Sequence, residues 1–300
     1  MRGPELLRRT ARRALGPKFV KHYVNPKRVR GDQVPYDAKR FFESWHRASP
    51  ESLSDADTIA AERGSLASRF HYNAVENSII ECLAGRDLPH PPRVLDVGSG
   101  AGHWIDFYFE VFGAEEAVGI EISEPAVHAL EERYADVPGV TIVEADVSDP
   151  DFALDGEFEI VNAIGVMFHI VDDARWERAV AALGQKLAPG GVLVVGGHFG
   201  LVTQNVQFHR TDSFSSWEDF RSAGGETALV NKRIRSLRRW RRCAAEAGLR
   251  TACVRRTRQS GSLQTPENNV LVLVKDTELS ARFSGVPKRS ARDRVVRTTE

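Results

Sequence analysis

The stretch Arg93–Trp104, reading RVLDVGSGAGHW, constrains this chain more than any other. Val94, Leu95 and Val97 form a short run of branched apolar residues, the pattern of a strand buried on both faces of a parallel sheet. Gly98, Gly100 and Gly102 follow at once, and residues without a Cβ let a backbone turn sharply and come close to a ligand. His103, Trp104, Ile105, Phe107 and Tyr108 then resume at helical spacing. A strand, a glycine turn and a helix start together predict a nucleotide site in an α/β sheet. Which nucleotide it takes depends on the rest of the chain.

Strand–helix units repeat after this turn. Ala117–Ile120 reads as a second strand ending at Glu121, and Ser123-Glu-Pro as a capped helix start, with Val127, Leu130 and Tyr134 on the apolar face. Val140–Val143 reads as a third strand running into Glu144-Ala-Asp146-Val147. Phe158–Ala163 is a fourth, and Trp176–Leu187 a helix that Pro189-Gly-Gly191 closes before a fifth strand at Val192–Val195. Asn231–Ala247 has a helical pattern stopping at Gly248, followed by strands around Thr251–Val254 and Val270–Val274. This alternation predicts an α/β fold, a doubly wound parallel sheet with helices on both faces.

The core then spans 93–275. Residues 36–92 read as an N-terminal helical cap, with one helix from Tyr36 and another over Asp57–Leu83. Trp45, His46, Tyr72 and Asn73 are its polar-tipped residues, expected in the core or at the rim of the crevice. Residues 198–230 break the rhythm with irregular, aromatic-rich sequence, the expected form of a lid insertion. Residues 1–35 read as a basic arm and 276–300 as a disordered tail.

Of the 300 residues, 42% are hydrophobic and 27% charged, as in a soluble globular protein. No apolar run approaches the ~20 residues of a membrane span, and the start lacks a secretory signal, so a cytoplasmic protein is expected. Cys82, Cys243 and Cys253 are odd in number without CxxC spacing; reduced, packed thiols and no metal are expected. The zero net charge hides an asymmetry. Residues 1–40 carry 12 Lys and Arg against 3 Asp and Glu, and residues 228–300 carry 18 against 6, around an acidic middle. Solvated basic ends are the ordinary reading; the sharper ones are RNA or anionic-membrane contact, or a transit peptide at the N-terminus.

The dinucleotide fingerprint GxGxxG needs a glycine where this chain has His103. Instead, GxGxG spacing follows Asp96, and here the sequence resembles the class I S-adenosylmethionine-dependent methyltransferases. The resemblance covers 93–200 closely in motif order and the last helix and two strands weakly. It implies a sheet ordered 3-2-1-4-5-7-6 with the seventh strand antiparallel. It also implies S-adenosylmethionine as cofactor, with Gly98, Gly100 and Gly102 against its methionine part and Asp96 near its amino end. Glu121, with Ile122 beside it, would bind the ribose hydroxyls, and Asp146 and Val147 would bind the adenine. Asn162, in VNAIGVMFHI, would lie under the reacting methyl.

Methyl transfer to a hydroxyl gains from a base within hydrogen-bond reach. His169, just past the fourth strand, is the first candidate and His198, at the end of the fifth, the second. The fourth strand lacks the (Asp/Asn)-Pro-Pro-(Tyr/Phe) motif of base N-methylation and the paired glutamates of protein-arginine enzymes, so no DNA substrate is expected. A small-molecule or lipid acceptor remains, walled by Phe107, Phe168, Phe199, Phe214 and Trp217. The alternative is a catalytically inactive relative that binds RNA or an acidic partner through KRIRSLRRWRR (232–242).

Overall fold

The computed structural model describes residues 37–48, 50–53, 64–197, 205–207, 232–256 and 269–275. Seven strands form one sheet: β1 Arg93–Val97, β2 Glu116–Glu121, β3 Val140–Glu144, β4 Phe158–Ile164, β5 Leu187–Gly197, β6 Leu249–Arg256 and β7 Asn269–Lys275. Their spatial order is β3-β2-β1-β4-β5-β7-β6. The first five pair in parallel, and β7 runs antiparallel to both β5 and β6. The expected order and the single reversed strand are both present.

Among the described residues six α-helices accompany the sheet: α1 Ala38–Ala48, α2 Gly64–Leu83, α3 His103–Phe112, α4 Glu124–Arg133, α5 Asp173–Lys186 and α6 Leu237–Glu246. The alternation of side chains along each strand divides the core in two. Val94, Ile160 and Val272 pack with Ile79, Trp104, Tyr108 and Leu130, under α2, α3 and α4. Leu95, Val161 and Leu273 pack with Trp176, Leu183 and Trp240, under α5 and α6. Internal β7, between β5 and β6, is buried along nearly its whole length, whereas edge strand β3 is partly open. Continuous burial of the middle strands removes the alternation that a one-sided sheet would show.

Several expectations change. The helix expected over Asn231–Ala247 begins only at Leu237, because Ser236 caps it by accepting from the Arg239 N–H. The preceding Lys232–Ile234 is extended and pairs with Asn205–Gln207 as a small antiparallel ribbon. Pro189-Gly-Gly191 does not precede β5 but lies within it, with Gly190 at φ +80°. Ser123 caps α4 through its backbone alone, since its hydroxyl pairs with His46.

The cysteines also differ from expectation. Cys82 at the end of α2 and Cys253 in β6 form a disulfide, with Cα atoms 5.6 Å apart across 171 residues of sequence. Such a separation leaves no local spacing to read; packing of α2 on the sheet brings the two together. Cys243 is free and buried, its thiol pushed up to about 12 chiefly by burial. The basic arm at 1–35, the tail at 276–300 and, apart from 205–207, the lid at 198–230 lie outside the described residues. Among the described residues no helix is long and apolar enough to cross a membrane.

Candidate active site

A cavity of about 350 Å³ opens at the carboxyl ends of β1–β5, where the strand order reverses direction and ligands bind in open α/β sheets. The glycine turn forms its floor. Gly98 N–H and Ser99 N–H donate to Ile120 O at 2.7 and 3.2 Å, folding the turn against the end of β2. Gly98 has φ +69°, and a Cβ there would lie 2.4 Å from Val166 Cγ2. The turn and the segment after β4 therefore touch where only glycine fits.

Glu121 ends β2 in this cavity and staples two loops. Its Oε2 accepts from Gly100 N–H at 3.0 Å, and its Oε1 accepts from Ile122 and Ser123 N–H at 2.8 and 3.0 Å. Burial raises its carboxyl pKa, and the three backbone donors oppose that shift. With about four lone-pair sites on a carboxylate, one is left for an incoming hydroxyl while all three bonds hold.

Asp96 and Asn162 lie behind the turn rather than on the cavity wall. They are register partners in parallel strands, so their side chains meet on the same face. Asn162 Nδ2 donates to Asp96 Oδ1 at 2.7 Å, and Tyr108 Oη donates to Asn162 Oδ1 at 3.1 Å. The other Asp96 oxygen is buried and accepts no hydrogen bond. Burial raises its carboxyl to about 6, against the hydrogen bonds from Asn162 and Ser99. An unsatisfied carboxylate oxygen under a glycine turn suits a cationic ligand group above it.

Gly102 also lies off the wall. At φ +93° it ends the turn, and its carbonyl accepts from Tyr134 Oη at 2.9 Å. Val147 and Asp146 do line the cavity, but Asp146 is engaged already. Its Oδ1 accepts from Ser148 N–H and Oγ, and its Oδ2 pairs with Arg175 at 2.6 Å. An approaching exocyclic amine would share that carboxylate with the guanidinium.

His169 lines the far side, its ring edge-on to Phe42 at 4.9 Å and tilted over Phe168 at 4.3 Å. His198, Phe199, Phe214 and Trp217 lie outside the described residues, and Phe107, on α3, is buried in the core rather than on the cavity wall. Three wall residues carry more than the sequence disclosed. His46, placed there as a core or rim residue, lines the cavity and shares a 2.7 Å hydrogen bond between Nδ1 and Ser123 Oγ. Burial pushes its ring down to about 4, so it is neutral at pH 7. Phe42 stands beside it on α1. Lys232 is on the ribbon, hidden in the sequence by a basic run that reads as helix. Alternation over Lys232–Ile234 was the available signal, but three residues are too few to separate it from a helix start.

A carboxylate with a spare acceptor site, a glycine turn at a helix start and a buried acid behind it suit a nucleoside sulfonium with an amino-acid tail. The comparisons agree. Residues 94–191 match a family model described as a methyltransferase domain. An uncharacterized protein of Synechococcus sp. is 38% identical over 128 residues, 42% of this chain. The demethylmenaquinone methyltransferase of Thermus thermophilus is 34% identical over 133 residues, 41% of this chain. The matches span only 29% of the first protein and 58% of the second. Among solved structures, the 1,6-didemethyltoxoflavin-N1-methyltransferase of Burkholderia thailandensis superposes with a TM-score of 0.55. That match covers 85% of this chain and 98% of that one at 15% identity, a likeness of fold.

Proposed function

We propose, from the premise that residues 94–191 belong to the class I S-adenosylmethionine-dependent methyltransferases, that this chain methylates a hydroxyl oxygen of a small-molecule or lipid acceptor. The observation that carries the reading is the joining of the Gly98–Gly102 turn to the Glu121 carboxylate by the Gly100 N–H, on the floor of a cavity walled by His169. When bound, the cofactor supplies a methyl carbon on a sulfonium, whose C–S bonding pair leaves with sulfur as the new bond to oxygen forms.

The residues of the chain then have three tasks. Glu121 binds the cofactor's hydroxyls from the cavity wall, and Asp96, buried behind the turn, supplies negative charge toward its ammonium, so binding energy fixes the methyl in position. Phe42, Phe168 and Val166 exclude water from the reacting face. His169 takes the acceptor's hydroxyl proton as the oxygen attacks, the role of a general base.

Calorimetry of the full chain with S-adenosylmethionine and S-adenosylhomocysteine tests the reading, followed by incubation of metabolite extracts with radiolabelled cofactor. Both ligands are expected to bind, and Glu121→Ala to weaken them by about 10-fold or more. His169→Ala is expected to lower turnover without weakening cofactor binding. Failure of both ligands to bind at millimolar concentration would overturn the transferase, and full turnover of His169→Ala would remove the base.

A further inference from the structure

We infer that His46 is a cofactor-binding residue: from α1 it donates its Nε2 N–H to a ribose hydroxyl oxygen of the nucleoside that Glu121 binds. The inference rests on the proposed transferase reading, which puts a ribose at Glu121. One stripe of α1 lines the cavity, formed by Ala38, Phe42 and His46, each four residues from the last. Phe42 stands against His169, while His46 meets the loop that leaves β2. Its Nδ1 lies 2.7 Å from Ser123 Oγ, and the Ser123 N–H donates to Glu121 Oε1 at 3.0 Å. Arg47 on Glu124 at 2.7 Å and Lys39 on Glu144 keep the helix over the ends of β2 and β3. The ring is thus tied to a residue only two places beyond the carboxylate.

Burial of Ser123 fixes which ring nitrogen carries the proton. Ser123 is fully buried, and among the described residues its hydroxyl has His46 as its partner. If Nδ1 were the donor, the hydroxyl proton would be buried without an acceptor, a worse loss than an unfilled lone pair. The hydroxyl therefore donates to Nδ1, and the ring proton sits on Nε2. Burial lowers the ring to about 4, so at pH 7 it is neutral and keeps this tautomer. Among the described residues Nε2 has no hydrogen-bond partner, and the ring that carries it lines the cavity.

The needs of a ribose complete the assignment. Each of its vicinal hydroxyls brings one proton to donate and an oxygen that accepts. Glu121 already takes three backbone N–H groups and can accept a hydroxyl proton at its remaining site, but a carboxylate donates nothing. The His46 N–H is the complementary donor. It is oriented by Ser123 before any ligand arrives, which lowers the ordering cost of using it.

The test is calorimetry of the full chain with S-adenosylhomocysteine and with its 2′-deoxy and 3′-deoxy analogues, in wild type, His46→Leu and His46→Gln. For one of the two analogues, the ratio of its Kd to that of the parent ligand is expected to be about 5-fold larger in wild type than in His46→Leu. In His46→Gln, whose amide can place an N–H near the position of Nε2, that ratio is expected to stay near the wild-type value. Weakening by His46→Leu that is equal for all three ligands would mean that the ring only holds α1 down, and would overturn the assignment. So would wild type that binds both analogues as tightly as the parent, or unchanged affinities in His46→Leu. Loss of the hydroxyl preference in His46→Gln as fully as in His46→Leu would overturn the donor role too. If S-adenosylhomocysteine does not bind wild type at all, the transferase itself fails; if it binds and the analogue ratios ignore His46, only the His46 assignment fails.

Discussion

A single missing Cβ governs how the floor of the site meets its wall. At Gly98 the left-handed φ and the 2.4 Å approach to Val166 are separate constraints, one on the backbone and one on space. Gly98→Ala is expected to lose about 2–4 kcal/mol of stability, combining the cost of a non-glycine residue at φ +69° with overpacking. Adding Val166→Ala should return the steric share and leave the backbone share, so a double-mutant cycle in urea unfolding will show a favourable coupling. At this scale the sequence disclosed a good deal. Gly98, Gly100 and Glu121 line the cavity, a placement that depends only on residues within about two strand ends. Asp96 and Asn162 were assigned to the same site, but their placement behind the turn depends on strand register, which a motif does not carry. Lys232 reaches the cavity wall on a ribbon whose two strands are separated by 24 residues, a pairing that no local pattern carries.

Two elements, α1 and the 232–234 ribbon, close the site by polar ties rather than by large apolar faces. α1 is fixed to the body by His46 on Ser123, by Arg47 on Glu124 at 2.7 Å and by Lys39 on Glu144. The last two are exposed ion pairs and contribute little, so the buried His46 contact dominates. The His46 ring has a pKa of about 4 in the folded chain against 6.5 unfolded. The unfolded chain therefore takes the proton first as pH falls, and stability is lost between pH 6.5 and about 4. The full loss is about 3 kcal/mol. Asp96 has the opposite slope, since its raised carboxyl favours the folded state as it protonates. The difference between wild type and His46→Leu removes the Asp96 contribution. That difference is expected to shrink steadily in urea titrations from pH 7 to pH 4, whereas a constant difference would mean that His46 does not titrate in this range.

The ribbon depends on Arg235, which lies over the Trp176 ring at 4.5 Å with its pKa lowered to about 10, chiefly by burial. Arg235→Ala is expected to cost about 3 kcal/mol, the order for breaking a buried, hydrogen-bonded pair. Lysine should rescue little, because a point charge cannot reach Asp173 and two carbonyls together. Thermal denaturation of the two variants checks both statements. The helix–strand alternation made every sheet strand legible, yet the ribbon was read as helix. Three residues of extended chain leave too short a period, and Ser236 marks the true helix start only once Leu237 is known to face the core.

For the molecule as a whole, the sheet order follows from the right-handed crossovers of a parallel α/β chain, with β7 inserted antiparallel between β5 and β6. The disulfide between Cys82 and Cys253 ties the end of the cap helix α2 to the β6 edge, while Tyr72 and Val75 of the same helix line the cavity. Its removal is expected to lower stability by about 2–5 kcal/mol, measured by urea unfolding of Cys82→Ser against wild type.

The same crosslink makes the chain from Cys82 to Cys253 a closed ring of covalent bonds. The glycine turn, Glu121, His169 and Lys232 are all links of that ring. A protease that cuts once anywhere within it opens the ring but releases nothing, and both pieces stay attached through sulfur. Such nicked material should run at full mass on a non-reducing gel and separate into two bands only after a thiol is added.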